Sequence, residues 1–202
     1  ALSVGSIVSV SILAKADAAL LVGNTRGDNI VVYDDAGNFR GDFVAPGSGG
    51  LLNPDDLTFG PDGNLYVSSG SGSSGEILRY DGETGAFIDK FATEGLVRPY
   101  GSAFGPDGKL YVSSFLTDQI LRFDGKTGAF IDVFASAKEI PLSERKSGQL
   151  NGPNDLLFTN NGRLLVTTQG SVAIPDLEPG SFKADFSRGF ASQVLSYDIT
   201  TK

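Results

Sequence analysis

The chain has 202 residues and a formal net charge of −8, which argues against a nucleic-acid partner, because phosphate recognition needs clustered lysine and arginine. Cysteine and histidine are both absent, which excludes disulfides, thiolate nucleophiles and every mechanism that uses an imidazole base or ligand within this stretch. The 27 glycines and 9 prolines indicate many turns and few long helices.

The first residues of the chain are apolar. Residues 2–14 have the length of the hydrophobic region of a secretory signal peptide and are too short to span a bilayer. Small residues follow in two A-x-A frames between Ala14 and Ala18. We therefore expect residues 1–18 to be the remnant of a signal peptide, and the protein to be secreted or periplasmic or lumenal. The alternative is an N-terminal β-strand rich in β-branched residues.

Three segments of the chain align on the pattern Pro-x-x-x-x-Phe. They are PDDLTFGPDGNLYVSS from Pro54, PYGSAFGPDGKLYVSS from Pro99 and PNDLLFTNNGRLLVTT from Pro153, at spacings of 45 and 54 residues. A second half-repeat follows the first two segments, as EILRYDGETGAFIDKFA from Glu76 and QILRFDGKTGAFIDVFA from Gln119. Self-similarity at such a period is typical of repeat architectures, so the repeat decides the fold class.

Each repeat predicts four strands. In the first full repeat they are Asp56–Phe59, Asn64–Ser68, Ile77–Asp81 and Ala86–Ala92, with a Pro-Asp-Gly turn between the first two. The second strand has large residues on both faces, which predicts a sheet that is covered on both sides. A four-stranded antiparallel unit of about 45 residues, covered on both faces by its neighbours, is a blade of a β-propeller.

The repeated motifs resemble those of NHL-repeat and senescence marker protein/gluconolactonase-like β-propellers, whose blades carry a similar Asp-Gly-x-Leu-Tyr-Val and Ile-x-Arg-Tyr/Phe-Asp pattern. The resemblance covers residues 19–202 and implies an all-β fold of four-stranded antiparallel blades. The strand count predicts an incomplete ring of two full and two partial blades, at residues 19–50, 51–95, 96–149 and 150–202.

Related propellers close with about six or seven blades. The chain is therefore expected to be the N-terminal piece of a longer protein, or to complete its ring by assembly with another chain. Streptogramin B lyase is a further propeller with similar repeats, but its catalysis relies on histidine, which this stretch lacks.

Two irregular insertions are predicted to lie on one rim of the propeller. Residues 136–152 precede the third repeat, and residues 169–192 separate the second and third strands of the last unit. Function tends to reside on loops that a rigid scaffold holds, so this rim is the predicted binding face. The alternative is that both insertions are surface loops without a function.

Polar residues after the aligned prolines and at the ends of the second strands are predicted to surround the mouth of the central channel on this rim. They are Asp55, Asp56, Tyr100, Asn154, Asp155, Ser69, Ser114, Thr168 and Gln169. Converging carboxylate and amide oxygens suit a hard cation such as Ca²⁺. Alternatively, Asp56 and Asp155 only accept backbone hydrogen bonds at the entrance of a strand.

The resemblance to gluconolactonases implies an Asn or Asp directly after this proline that binds the metal or the substrate. Asp55 and Asn154 match that pattern, whereas Tyr100 departs from it, and the acidic ligand of an early Glu-Gly-Pro motif has no counterpart. With Asp155 added as a neighbouring carboxylate, the candidate metal ligands are Asp55, Asn154 and Asp155.

Two hypotheses for the function follow. In the first, the chain is a secreted, non-catalytic propeller module that binds a small-molecule ligand or a protein through the rim with the long loops. In the second, it is a calcium-dependent lactonase-like hydrolase, in which the metal polarises a carbonyl and activates water. No catalytic residue is assigned, Ca²⁺ is the only candidate cofactor, and neither a nucleic-acid partner nor a membrane span is expected.

Overall fold

The computed structural model describes residues 19–200, and the predicted signal peptide lies outside them. The described part is almost entirely β-structure. No helix in it is long and apolar enough to cross a membrane.

Residues 19–200 contain sixteen strands and two short 3₁₀ turns. The turns are η1 (Ser48–Gly50) and η2 (Phe115–Thr117). The strands are β1 (Leu20–Asn24), β2 (Asn29–Tyr33), β3 (Phe39–Val44), β4 (Asp56–Phe59), β5 (Leu65–Gly70), β6 (Gly75–Tyr80), β7 (Phe87–Ala92), β8 (Pro99–Phe104), β9 (Lys109–Ser114), β10 (Gln119–Asp124), β11 (Phe130–Ser136), β12 (Pro153–Phe158), β13 (Arg163–Thr168), β14 (Val172–Pro175), β15 (Phe182–Asp185) and β16 (Gln193–Asp198).

The strands form four antiparallel sheets in chain order, with one extra hairpin. Sheet 1 is β1-β2-β3, sheet 2 is β4-β5-β6-β7, sheet 3 is β8-β9-β10-β11 and sheet 4 is β12-β13-β16. The hairpin β14-β15 is inserted between the second and third strands of sheet 4. Two sheets thus have four strands and two have three, which confirms the predicted β-propeller architecture of two full and two partial blades.

Three hydrophobic clusters hold consecutive sheets together, one in each interface. The first interface joins sheets 1 and 2, the second joins sheets 2 and 3, and the third joins sheets 3 and 4. The buried residues of the first interface are Ile30, Val44, Leu51, Leu65, Val67, Leu78 and Tyr80. Those of the second interface are Tyr66, Ile77, Phe91, Ala92, Leu96, Leu110, Val112, Leu121 and Phe123. Those of the third interface are Tyr111, Ile120, Ala137, Leu150, Leu156, Leu164 and Val166.

Strand β5 illustrates why these sheets carry large residues on both faces. Leu65 and Val67 enter the cluster shared with sheet 1, whereas Tyr66, between them, enters the cluster shared with sheet 3. All three side chains are buried. Successive residues of a strand point to opposite faces, so a strand between two sheets needs apolar residues at every position.

The repeated Pro-Asp-Gly turn is linked to the tyrosine of the strand that follows it. Tyr66 donates its hydroxyl hydrogen to Asp62 Oδ2 over 3.0 Å, and Tyr111 donates to Asp107 Oδ2 over 3.1 Å. Gly63 adopts a φ of 80°, which a side chain would strain. The repeated letters therefore encode a turn and a hydrogen bond that satisfies the polar end of a buried tyrosine.

A bidentate ion pair joins the third strand of each full sheet to its outer strand. Arg79 donates to both carboxylate oxygens of Asp89 over 3.1 and 2.6 Å, and Arg122 donates to Asp132 over 2.7 and 2.6 Å. The hydrogen bonds from these carboxylates raise the pKa of both guanidinium groups. Paired charges thus attach the outer strands β7 and β11 to their sheets.

Candidate functional site

Four of the nine predicted site residues line one cleft of about 240 Å³, which we name the channel cleft. They are Asp55, Tyr100, Asn154 and Gln169. Asp55 precedes β4, Tyr100 and Asn154 lie in β8 and β12, and Gln169 follows β13. The cleft therefore combines residues from sheets 2, 3 and 4, because the residues after the aligned prolines share a register in the innermost strands.

A cation lies close to the carboxylate of the channel cleft. Arg98 Nε lies 3.6 Å from Asp55 Oδ2, and the two side chains are 33% and 16% exposed. Burial raises the pKa of the Asp55 carboxyl, and the charge of Arg98 opposes that rise. Arg98 Nε has no hydrogen-bond partner within residues 19–200, so the contact is an ion pair without a hydrogen bond.

Arg98, Tyr100 and Phe115 form a layered stack at the edge of the channel cleft. The Arg98 guanidinium carbon lies 5.3 Å from the centroid of the Tyr100 ring. On the aromatic side, Tyr100 stacks on Phe115 with centroids 4.4 Å apart and ring planes at 21°. Burial raises the pKa of the Tyr100 hydroxyl, so this group stays protonated and can donate a hydrogen bond. The contacts with Arg98 and Phe115 hold the Tyr100 ring in place beside the cleft.

Asp56 connects two neighbouring sheets and does not line the channel cleft. Its Oδ2 accepts hydrogen bonds from the backbone N–H and the hydroxyl of Ser102, at 2.8 and 2.9 Å, and from the Thr58 hydroxyl at 3.1 Å. Burial raises the pKa of Asp56, and the charge of Asp155 adds to that rise. Asp155 is exposed, and its Oδ1 accepts the backbone N–H of Leu156 at 2.8 Å. Each carboxylate accepts at least one backbone N–H, Asp56 from the neighbouring sheet and Asp155 from the next residue of its own strand.

The three predicted hydroxyl residues bind backbone groups and are not among the residues that line the channel cleft. Ser69 Oγ exchanges hydrogen bonds with the N–H and C=O of Leu52 at 3.0 and 3.2 Å. Ser114 Oγ accepts the N–H of Val97 at 3.0 Å, and Thr168 Oγ1 accepts the N–H of Gln193 at 3.2 Å. These side chains hold the neighbouring loops in place.

The innermost strands of sheets 3 and 4 approach each other closely at Gly101. A Cβ at this position would lie 2.6 Å from Asp155 Cα and 2.7 Å from the Asn154 carbonyl oxygen. The same repeat position carries Asp56 in β4 and Asp155 in β12, so a glycine is the exception there. The close approach brings Tyr100 and Asn154 to the same cleft.

Gly101→Ala is expected to lower the free energy of unfolding by about 1–3 kcal/mol, because the added methyl group meets backbone atoms that must shift. Urea unfolding followed by far-UV circular dichroism measures the change. A loss below about 0.5 kcal/mol, the usual range of a neutral surface substitution, would show that the strands separate without strain.

A buried ion pair that sequence reasoning missed holds both insertions against sheet 3. Asp118 and Arg145 have side chains only 3% exposed, and Arg145 Nη1 donates to Asp118 Oδ2 over 3.1 Å. Asp118 also accepts the backbone N–H groups of Gly152 and Ala173, at 2.9 and 3.2 Å. Because Gly152 ends one insertion and Ala173 lies in the other, one carboxylate ties both to the β9–β10 connection. No repeat marks these residues, so the sequence carried no signal for the pair.

The insertions meet each other and reach across to sheet 2. The N–H of Ala191 donates to Ser147 Oγ over 3.1 Å. Residues 169–192 were predicted as a loop, but they contain the hairpin β14-β15, and the N–H of Phe182 donates to the carbonyl of Gly72 over 2.7 Å. Both insertions therefore lie on one rim, and the hairpin spans the space between sheets 4 and 2.

The described residues do not fit a complete Ca²⁺ site. Within residues 19–200 there is no group of three or more acidic side chains placed to hold a metal ion. The channel cleft contributes one carboxylate, Asp55, which is already paired with Arg98. Calcium normally takes six to eight oxygen ligands, and the lining residues of the cleft supply fewer.

Three- and four-stranded antiparallel sheets that pack face to face, with a polar cleft on the loop-bearing rim, define a β-propeller fold. No protein-family model matches the chain, and no curated protein matches it. Its similarity to known proteins is therefore a similarity of structure.

Solved β-propeller structures match most of the chain. A chain of a nidogen/laminin complex aligns with a TM-score of 0.59 at 17% identity, over 87% of this chain and 62% of the other. A virginiamycin B lyase from Staphylococcus aureus aligns with a TM-score of 0.55 at 14% identity, over 89% of this chain and 52% of the lyase. A gluconolactonase from Xanthomonas campestris aligns with a TM-score of 0.57 at 21% identity, over 83% of this chain and 59% of the gluconolactonase. At these identities the matches show the fold alone, and the chain spans between 52% and 62% of the length of these structures.

Proposed function

We propose that the chain is a secreted β-propeller module without catalysis of its own, and that it binds a small polar ligand in the channel cleft. The observation that carries the proposal is the convergence of Asp55, Tyr100, Asn154 and Gln169 from three sheets on one cleft. Carboxylate, amide and phenol groups supply both donors and acceptors, and the stacking of Tyr100 on Phe115 holds the phenol group in place. A rigid cleft with a few convergent polar groups is the usual form of a small-molecule site.

A groove of about 330 Å³ extends the channel cleft toward the hairpin. Arg98, Tyr100, Phe115, Lys183 and Phe186 are among its lining residues. Asp176 also lines the groove and pairs with Lys183 at 3.1 Å, so a ligand larger than the channel cleft would find aromatic rings and charged groups of both signs there. This continuity supports recognition through the rim with the long insertions rather than through the opposite rim.

The binding proposal is tested with methyl β-D-glucopyranoside as the probe, because its hydroxyl-bearing ring presents many donors and acceptors and is stable in water. Isothermal titration calorimetry is expected to show saturable binding at one site. Asn154→Ala should weaken the affinity about three- to tenfold, since it removes one or two hydrogen bonds. Asn160→Ala is the matched control, because Asn160 is exposed in the turn between β12 and β13 at the other rim. Absence of saturable binding, or an equal effect of both variants, would contradict the proposal.

The second candidate function is a calcium-dependent lactone hydrolase. The observation in its favour is that Asp55 and Asn154, two of the three candidate ligands, line the same cleft, and one matching solved structure is a gluconolactonase. Asp155 is not among the lining residues of that cleft. Ligands from outside residues 19–200 would have to complete the coordination of the metal.

A single pair of measurements separates the two functions. The binding module is expected to leave the rate of D-glucono-1,5-lactone opening at its uncatalysed value in a pH-stat, with and without CaCl₂, and CaCl₂ should not change the melting temperature. A calcium-dependent rate that Asp55→Asn abolishes would establish the hydrolase instead.

Secretion rests on residues 1–18 alone, which lie outside the described part of the chain. Expression in a secreting host should release a product whose N-terminus, read by Edman degradation, falls between residues 16 and 19. A product that keeps the apolar segment would exclude cleavage at this site.

A further inference from the structure

A second cavity lies on the loop-bearing rim, beside the channel cleft, and none of the predicted site residues lines it. Its volume is about 540 Å³. Its walls come from four separate segments: the β7–β8 connection, the β9–β10 connection with η2, the insertion 136–152, and the β14-β15 hairpin. We name it the side cavity.

The walls of the side cavity are mostly apolar. Side chains that supply this surface come from every one of the four segments and are Leu96, Val97, Leu116, Ile140, Leu142 and Phe182. Its volume lies within the range of about 300–1,000 Å³ that small-molecule pockets usually have. The part of an alkyl chain that enters this cavity would be removed from water, at about 25 cal/mol for each Å² of apolar area.

The Asp118–Arg145 pair holds the loops that form the walls of the side cavity in fixed positions. Both residues line it, and both are buried with side chains only 3% exposed. Asp118 binds one insertion through Gly152 and the other through Ala173, so the loop walls are tied to the same carboxylate. The pair also neutralises itself, since one carboxylate faces one guanidinium at 3.1 Å.

Lys138 is the remaining charged residue that lines the side cavity. It is exposed, and its ammonium group has no ion pair or hydrogen bond among residues 19–200. With the buried pair neutral, the lining carries one net positive charge on a chain whose formal net charge is −8. A cation at the edge of an apolar cavity is complementary to a ligand with an alkyl body and one anionic end.

We propose that the side cavity binds a medium-chain aliphatic carboxylate, with the alkyl chain against the leucine and phenylalanine side chains and the carboxylate at Lys138. The site shares no lining residue with the channel cleft, although Leu116 and Phe182 also line the groove between them. It therefore stands or falls separately from the binding of a polar ligand at the channel mouth.

The experiment titrates the 202-residue chain with sodium decanoate, below the concentration at which it forms micelles, by isothermal titration calorimetry. One decanoate per chain is expected. Lys138→Gln should weaken the affinity about three- to tenfold, because a partly exposed ion pair is lost. Lys126→Gln is the matched control, since Lys126 is an exposed lysine in the β10–β11 turn that does not line the cavity, and it should bind as the unaltered chain does.

Two further variants, Leu142→Glu and Asn154→Ala, test the location of the decanoate site. Leu142→Glu places a carboxylate at a cavity position that is 37% exposed, so the variant should fold and bind decanoate at least about tenfold more weakly. Asn154→Ala should leave decanoate binding unchanged even where it weakens the polar probe. Absence of binding, equal binding by Lys138→Gln, or equally tight binding of decylammonium, which has the same chain and the opposite charge, would overturn the proposal.

Discussion

Replacing Asp118 with asparagine is expected to lower the free energy of unfolding by about 3–5 kcal/mol, because Arg145 would be left as an uncompensated buried charge. Asparagine keeps the size of the side chain and tolerates the left-handed backbone of this residue, whose φ is 53°. The substitution therefore removes the charge with little change in the backbone. Urea unfolding measures the loss, and limited proteolysis within residues 136–152 should accelerate, since this insertion is tied to Asp118 through Gly152.

The control for this substitution is a more exposed ion pair at the end of β15. Asp185 pairs with Arg188 at 3.4 Å, with side chains 17% and 39% exposed, so Asp185→Asn should cost no more than about 1 kcal/mol. The double variant Asp118→Asn with Arg145→Met should lose less than the sum of the two single losses, by at least about 1 kcal/mol, because no charge is then left unpaired. Equal losses at Asp118 and Asp185, or simple additivity, would show that the buried pair does not organise the rim.

Phe123→Ala is expected to cost about 3–5 kcal/mol, for a different reason. Phe123 is fully buried in the cluster between sheets 2 and 3, where its ring lies edge-to-face with Phe130 at 5.8 Å. Truncation removes a large apolar contact and leaves a cavity that the flanking strands cannot close. The loss should appear in the urea midpoint and in the thermal midpoint.

Phe59→Ala is the matched control, because Phe59 is the phenylalanine of the first aligned repeat and is 55% exposed. We expect it to cost about 1 kcal/mol or less, since more than half of its surface stays in water after folding. If both substitutions cost the same, the interface between sheets 2 and 3 does not supply the stability that its burial implies.

The strands of the two full sheets follow closely from the repeats. The first predicted strand, Asp56–Phe59, agrees with β4, and the second and third differ from β5 and β6 by one or two residues. Turn residues and large side chains on both faces are local signals, so they mark strands reliably. The ends of strands depend on pairing with the neighbouring strand, which the sequence does not display.

The channel cleft was predictable in part, because its residues occupy equivalent positions of a repeat. Asp55, Tyr100 and Asn154 each follow an aligned proline, and equivalent positions of neighbouring blades converge toward one axis. Ser69 and Ser114 were assigned to the same place, but their hydroxyls bind the loops beside them. Whether a side chain faces the axis or a loop depends on which face of the strand it occupies.

The sequence by itself determined the repeat, the strands, and the positions from which side chains converge on the rim, because each depends on residues that are close in the chain. Only the tertiary structure decided which groups became partners there. Arg98 meets Asp55 from 43 positions away, and Arg145 meets Asp118 from 27. Both arginines lie outside the repeated segments, so the periodic pattern of the sequence does not predict their positions in the site. Burial explains why Asp55 and Asp118 each lie beside a cation, since a carboxylate removed from water is stable only where a cation or N–H donors replace the lost solvent.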